Sequence, residues 1–147
     1  MRDIAQHILD AATTGCDLVL VTVAESEGST PRDAGSQMLV SQDGLACGTI
    51  GGGAMEARAI NQARTMLGQS ACYMEGMTLR QQANGGLDMP CGGDAGLLYT
   101  PICSDNKAWN DVATEILRCF DQRIPAYLVL ACHDEASLFP GEVTLID

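Results

Sequence analysis

Gly48-Thr49-Ile50-Gly51-Gly52-Gly53 lies where a strand gives way to a helix, and the reading of the fold turns on it. Residues 36–41 and 45–50 read as strands. Residues 54–67 read as a helix with Met55, Ala59, Ile60, Ala63, Met66 and Leu67 toward a core. Three glycines at such a junction let the backbone turn sharply and bring bare N–H groups close to a ligand. A helix N-terminus also carries unpaired donors and partial positive charge, which suits an anion such as phosphate. Alone, the glycines read more simply as a tight turn that packs helix on sheet. Their neighbours change that balance.

Upstream, residues 17–24 hold the run Leu18-Val19-Leu20-Val21-Thr22-Val23, a strand expected to be buried on both faces. A polar loop over 25–35 contains Gly28, Pro31 and Gly35. The hairpin that follows turns at Gln42-Asp43-Gly44, since Asp-Gly between apolar runs is a strong turn signal. At the start of the chain, residues 3–12 form a short amphipathic helix, with Ile4, Ile8, Leu9 and Ala12 on one face, ended by Gly15. Downstream, 72–79 reads as a strand, 80–96 as a glycine-rich loop and 96–102 as a strand. Asp105 or Asn106 caps a helix with Trp109, Val112, Ala113, Ile116, Leu117 and Phe120 on one stripe. Strands over 125–132 and 143–146 close the chain, the last after a Pro140-Gly141 turn. This order predicts a layered α/β or α+β domain: one mixed β-sheet of six or seven strands with three helices, in a single domain over 1–147.

The chain has 147 residues, enough for one sizeable core, and 46% of them are apolar, which argues against disorder. Its net charge of −11 repels nucleic acid and anionic membranes. Any anion site must therefore be local, built from backbone dipoles and one or two arginines. No apolar run is long enough to span a bilayer, and no signal-peptide core stands ahead of Ile4, so a cytoplasmic location is expected. The seven cysteines include no Cys-x-x-Cys pair, which leaves neither a zinc ribbon nor a thioredoxin motif. The single lysine, Lys107, follows Asn106, so there is no P-loop. Glu56 stands where a dinucleotide fingerprint wants a small residue.

Two further segments carry chemistry. Gly28-Ser29-Thr30-Pro31-Arg32 follows the buried strand at the end where α/β folds place ligands. Ser29 and Thr30 offer hydroxyls. Arg32 is the one basic residue between Arg2 and Arg58, and in so acidic a chain it suggests a counter-charge for an anion. Met89-Pro90-Cys91-Gly92-Gly93 sets Cys91 in a glycine-flanked loop. Its thiol reads equally as a reactive or metal-facing group and as a half-buried loop cysteine.

The ordered set resembles the XdhC/CoxI family, accessory factors of xanthine dehydrogenase and related molybdenum hydroxylases. The matching residues are Gly28-Ser29-Thr30-Pro31-Arg32, Gly35 with Met38-Leu39-Val40 and Asp43-Gly44, then Gly48 to Gly53 with Glu56. Cys91-Gly92-Gly93 follows, ahead of a strand ending Thr100-Pro101-Ile102. The resemblance spans residues 4–130. It implies a molybdenum cofactor chaperone that binds the pterin cofactor as cargo, assists its sulfuration with a cysteine desulfurase, and helps insert it into the apo-hydroxylase. It implies a binding protein more than an enzyme, corresponds to the N-terminal domain alone, and leaves out the Rossmann-like second domain of longer members. Under this reading Ser29, Thr30, Arg32, Gly51, Gly52 and Gly53 meet the cofactor, and Cys91 meets its molybdenum. Family members often carry Cys or His after the third glycine, where this chain has Ala54. Two rival readings stand beside it. One makes Cys91 a persulfide carrier that transfers sulfur to the cofactor. The other is a ligand-free docking module for the hydroxylase or desulfurase. A homodimer is compatible with short edge strands.

Overall fold

The computed structural model describes residues 1–79, 92–131 and 142–146. The loop expected over 80–96 falls largely outside them, as do Cys91 and the Pro140-Gly141 turn. Three helices and seven strands follow the expected order: α1 (Arg2–Thr14), β1 (Leu18–Glu27), β2 (Gln37–Ser41), β3 (Gly44–Gly48), α2 (Gly53–Thr65), β4 (Tyr73–Thr78), β5 (Asp94–Ile102), α3 (Lys107–Gln122), β6 (Tyr127–Ala131) and β7 (Glu142–Ile146). The layered α/β class is borne out. The strands divide into a five-stranded sheet, ordered β3-β2-β1-β5-β4, and a separate β6–β7 ribbon. Every pairing between described strands is antiparallel.

Strand β1 is central because its first six residues are buried on both faces, as its continuous β-branched and aliphatic run requires. Alternation then sorts its side chains. Val19, Val21 and Val23 join Met38, Val40, Leu97 and Tyr99 on the face covered by α2, through Met55, Ala59 and Ala63. Leu18 and Leu20 join Leu39 and Ile102 on the opposite face, under α1 and α3, through Ile4, Ile8, Trp109, Ala113 and Ile116. Helix–sheet–helix layering follows directly from that period of two.

The helix ends obey local chemistry. Gly15 closes α1 in the left-handed conformation. Asn106 caps α3, its side chain accepting from the Trp109 N–H at 3.3 Å. One expected core residue departs: Phe120 is 49% exposed. It sits in the last turn of α3, where the ribbon leaves an apolar cavity of about 460 Å³ open beside it, lined also by Ile116, Ile124, Leu128 and Leu145.

The topology gathers chain segments far apart in sequence at one end of the main sheet. Strand β1 runs out at Glu27, β5 begins opposite it at Asp94, and β3 ends at Gly48 beside the start of β2. The loops carrying the three glycine motifs leave the sheet from these points.

Candidate functional site

The 28–32 loop and the glycine turn meet through Pro31 and Gly51. Gly51 has φ +126°, a conformation in effect reserved for glycine, and a β-carbon there would run into the Pro31 ring. Gly93 closes the third side. A β-carbon on it would strike the Glu27 carbonyl oxygen and stand 2.7 Å from that of Ser29. Its own carbonyl accepts from the Leu79 N–H at 2.9 Å. Glycine at 51 and 93 thus lets three backbone segments approach more closely than side chains would allow.

The expected site residues fall into place around this junction. Ser29 and Arg32 are exposed and Thr30 is half-buried, its Oγ1 donating to the Arg32 carbonyl at 3.1 Å. That bond shapes the loop through the Arg32 backbone, not its guanidinium. Arg2, Arg58, Lys107 and Arg118 each pair with a carboxylate. Arg32, like Arg64 and Arg123, has no such partner among the described residues, and it alone of the three lies on this loop. Cys91 lies outside the described residues. Gly92 and Gly93, which follow it, are seated against Gly28 and the 27–29 backbone.

The glycine turn differs from the open cradle expected of it. Glu56 reaches back from the first turn of α2 and fills the turn with its own carboxylate. Its Oε2 accepts from Thr49 Oγ1 at 2.5 Å, from the Ile50 N–H at 3.1 Å and from the Gly52 N–H at 3.1 Å. The Gly51 N–H donates to Thr49 Oγ1 at 3.1 Å. The N–H groups at Gly51 and Gly52 are therefore committed within the chain. Those of Gly53, Ala54 and Met55, at the start of α2, have no side-chain cap, because the N-cap residue is Gly52. This arrangement is a capping box displaced by one position: a glutamate at the fourth helical residue instead of the third reaches back to the N-cap N–H. In sequence Glu56 was legible as the residue that breaks a dinucleotide fingerprint and as part of the family resemblance, not as a partner of the turn. The spacing Gly52-x-x-x-Glu56 was the available signal.

Beside the loop cluster a cleft of about 500 Å³ is bordered by Glu25, Glu27 and Asp94, with Met77 and Gly96. Two cysteines elsewhere are held protonated. Burial, then the nearby Asp3 carboxylate, pushes the Cys47 thiol up. Burial, then Asp17 and Asp105, does the same at Cys103. Among the described residues, no group of three or more His, Cys, Asp or Glu side chains is placed to hold a metal ion, and no helix is long and apolar enough to cross a membrane.

In Escherichia coli (strain K12), the molybdenum cofactor insertion chaperone PaoD is 35% identical over 96 residues, an alignment spanning 63% of this chain and 29% of that protein. The uncharacterized protein YqeB of the same organism is 45% identical over 47 residues, 32% of this chain and 8% of that one. The chain thus spans less than a third of the length of these relatives. Among solved structures, it is similar in fold to a crystal structure of a xanthine dehydrogenase from Bacillus halodurans. That match has a TM-score of 0.66 and 19% identity, over 97% of this chain and 42% of the other. The XdhC and CoxI family model matches residues 11–75, which include both the Ser29-Thr30-Pro31-Arg32 loop and the glycine turn. Over those residues the chain is similar to the XdhC and CoxI family.

Proposed function

We propose that this chain binds the molybdenum cofactor and helps deliver it to a molybdenum hydroxylase of the xanthine dehydrogenase type. The observation that carries the reading is the convergence of three loops, 28–32, 48–53 and 92–93, at one end of the sheet. Similarity to a molybdenum cofactor insertion chaperone supports the same cargo.

Each group has a task that fits its chemistry. The pterin phosphate is an anion, and Arg32 has no carboxylate partner among the described residues of a chain of net charge −11. The hydroxyls of Ser29 and Thr30 lie on the same loop as Arg32. Of the glycine turn, Gly51 to Gly53, the Gly51 and Gly52 N–H groups are held by Thr49 and Glu56, and Gly53 opens the uncapped first turn of α2 with Ala54 and Met55. Cys91, joined directly to the seated Gly92, brings a soft thiolate ligand for molybdenum. Handling of the cofactor during sulfuration, with a cysteine desulfurase as partner, belongs to the same reading, as does action in the cytoplasm.

The test is molybdenum content by elemental analysis after the pure protein is incubated with freshly released cofactor and desalted. Near-stoichiometric metal in the parent, lost in Arg32→Ala and Cys91→Ala, is the expected result. A folded parent that retains only background metal overturns the reading.

A further inference from the structure

Strand β6 reads Tyr127-Leu128-Val129-Leu130-Ala131, an apolar run that never alternates with charged residues, which is the pattern of a strand covered on both faces. The fold covers one. Leu128, Leu130 and Leu145 pack against the core built with α1 and α3. Tyr127, Val129 and Ile146 are 75%, 40% and 54% exposed. The register sets these side chains together on the outer face: Tyr127 lies opposite Ile146, and Val129 opposite the exposed Thr144. Ala126 and Leu145, chain neighbours of the Tyr127–Ile146 pair, line the open cavity of about 460 Å³, whose wall also includes Phe120 and Met1. Of the eight large apolar side chains exposed among the described residues, five therefore gather at this end. The other three, Leu45, Tyr73 and Met74, lie on β3 and β4 at the two edges of the main sheet.

We propose that a second copy of this chain docks on the outer face of the β6–β7 ribbon, forming a symmetric dimer. Charge selects the occupant. Residues 124–131 and 143–146 contain no charged side chain, in a chain of net charge −11. A basic partner would be drawn to carboxylates and an acidic one to a cluster of Lys or Arg, and this face offers neither. Two copies of like charge can approach closely only where both are uncharged, and two-fold symmetry sets the face against its own equal. Size fixes the extent of the contact. Two strands of five residues present a plan area on the order of 200 Å², whereas a specific interface needs roughly 500 Å² from each copy. The contact must therefore run past the Tyr127–Ile146 end onto the cavity rim, taking in Phe120 and Met1. That accounts for Phe120, which follows the apolar stripe of α3 but is only half covered within one chain. A two-stranded ribbon is also marginal by itself, and a second layer packed on it adds stability. Nothing in this pairing depends on the cofactor cargo.

Sedimentation velocity on the full chain from about 1 to about 100 μM tests this, since a contact near the lower size limit should dissociate in the micromolar range. The parent should pass from monomer to dimer across that range. Tyr127→Asp and Ile146→Asp each place a charge in the contact and should weaken dimerisation at least about tenfold. Both positions are exposed, so melting of the monomer should not change. Phe120→Ala should weaken the dimer by a smaller factor. Met74→Asp, the same charge change on the edge strand β4, should leave it as in the parent. Added salt should strengthen the dimer by screening the repulsion between two chains of net charge −11. A parent that stays monomeric throughout, whether bare or carrying a co-purified small molecule by native mass spectrometry, overturns the proposal. So does a dimer that survives both ribbon substitutions, one lost equally in Met74→Asp, or one that salt dissociates.

Discussion

The ring of Pro31 occupies the space that a β-carbon on Gly51 would need. This contact joins the arginine-bearing loop to the glycine turn across twenty positions of sequence. Pro31 is also stiff by construction, since its ring fixes φ, so the loop that bears Arg32 is held against the turn with little entropy left to lose. A rigid partner and an absent side chain are what allow two loops to present their polar groups as one surface.

Gly51→Ala should be more damaging than Gly52→Ala. It forces an L-residue to φ +126° and drives its β-carbon into Pro31. The expected loss is about 2–4 kcal/mol, from backbone strain plus overpacking. Gly52→Ala meets open space and pays for strain alone at φ +76°, about 1–3 kcal/mol. Pro31→Gly should recover part of the Gly51→Ala loss. Chemical denaturation of the three single variants and the double variant checks this, and simple additivity would remove the contact from the account.

Gly93→Ala should separate the site from the core. Its β-carbon would push on the Glu27 and Ser29 carbonyls, so the 28–32 loop and the segment after Cys91 must part. Cofactor retention is expected to fall more than thermal stability does. Unchanged molybdenum content in a folded Gly93→Ala protein would contradict that expectation.

Tyr99 predicts the alkaline limb of stability. Its hydroxyl donates to Glu75 Oε2 at 2.8 Å, while Arg58 holds the other oxygen of Glu75. Burial first, then the bond to Glu75, pushes the Tyr99 phenol well above its usual value of about 10. The folded state therefore keeps a proton that the unfolded chain releases. Stability from this group is complete below about pH 10 and declines as pH rises beyond it. Tyr99→Phe should lose about 1 kcal/mol at neutral pH and show a shallower decline above pH 10, read from urea midpoints across pH.

Thr100 is a buried polar residue of β5. Its Oγ1 makes no hydrogen bond among the described residues, and the residue is 5% exposed. Thr100→Val keeps the shape and removes the unsatisfied hydroxyl. It should leave stability unchanged or raise it by about 1 kcal/mol. A loss exceeding about 1 kcal/mol on denaturation would show that the hydroxyl has a partner after all.

Cysteine labelling should rank the thiols. Cys47 and Cys103 are held protonated by burial and nearby carboxylates, whereas Cys16 is exposed. Alkylation near neutral pH, followed by peptide mass spectrometry, should modify Cys16 well before Cys47 or Cys103. Faster reaction at Cys47 or Cys103 than at Cys16 would refute that order.

Much of the local structure was legible because its causes are local. Asn106 caps its helix through its own side chain, Gly15 ends α1 by adopting the left-handed conformation, and Asp43-Gly44 turns the β2–β3 hairpin. The unbroken run from Leu18 to Val23 announced a central strand, because only a position covered on both faces can bury such a run. The motifs of the candidate site were visible for the same reason, as glycines, hydroxyls and a lone arginine in polar loops.

Tertiary structure alone decided partners. Periodicity says which face of a strand is buried, not which strand lies beside it, so the antiparallel pairing of β1 with β5 and the separation of the β6–β7 ribbon had no sequence signal. Phe120 followed the helical stripe, yet its exposure depends on how far the ribbon extends over the end of α3. The seating of Gly93 on Glu27 and Ser29 likewise depends on two strands meeting in register. At the glycine turn, residue types determined that backbone donors would gather. Which of them stay open was decided by the direction in which one side chain points: Glu56 folds back and fills the turn, and hydrogen bonds are satisfied through space rather than along the chain.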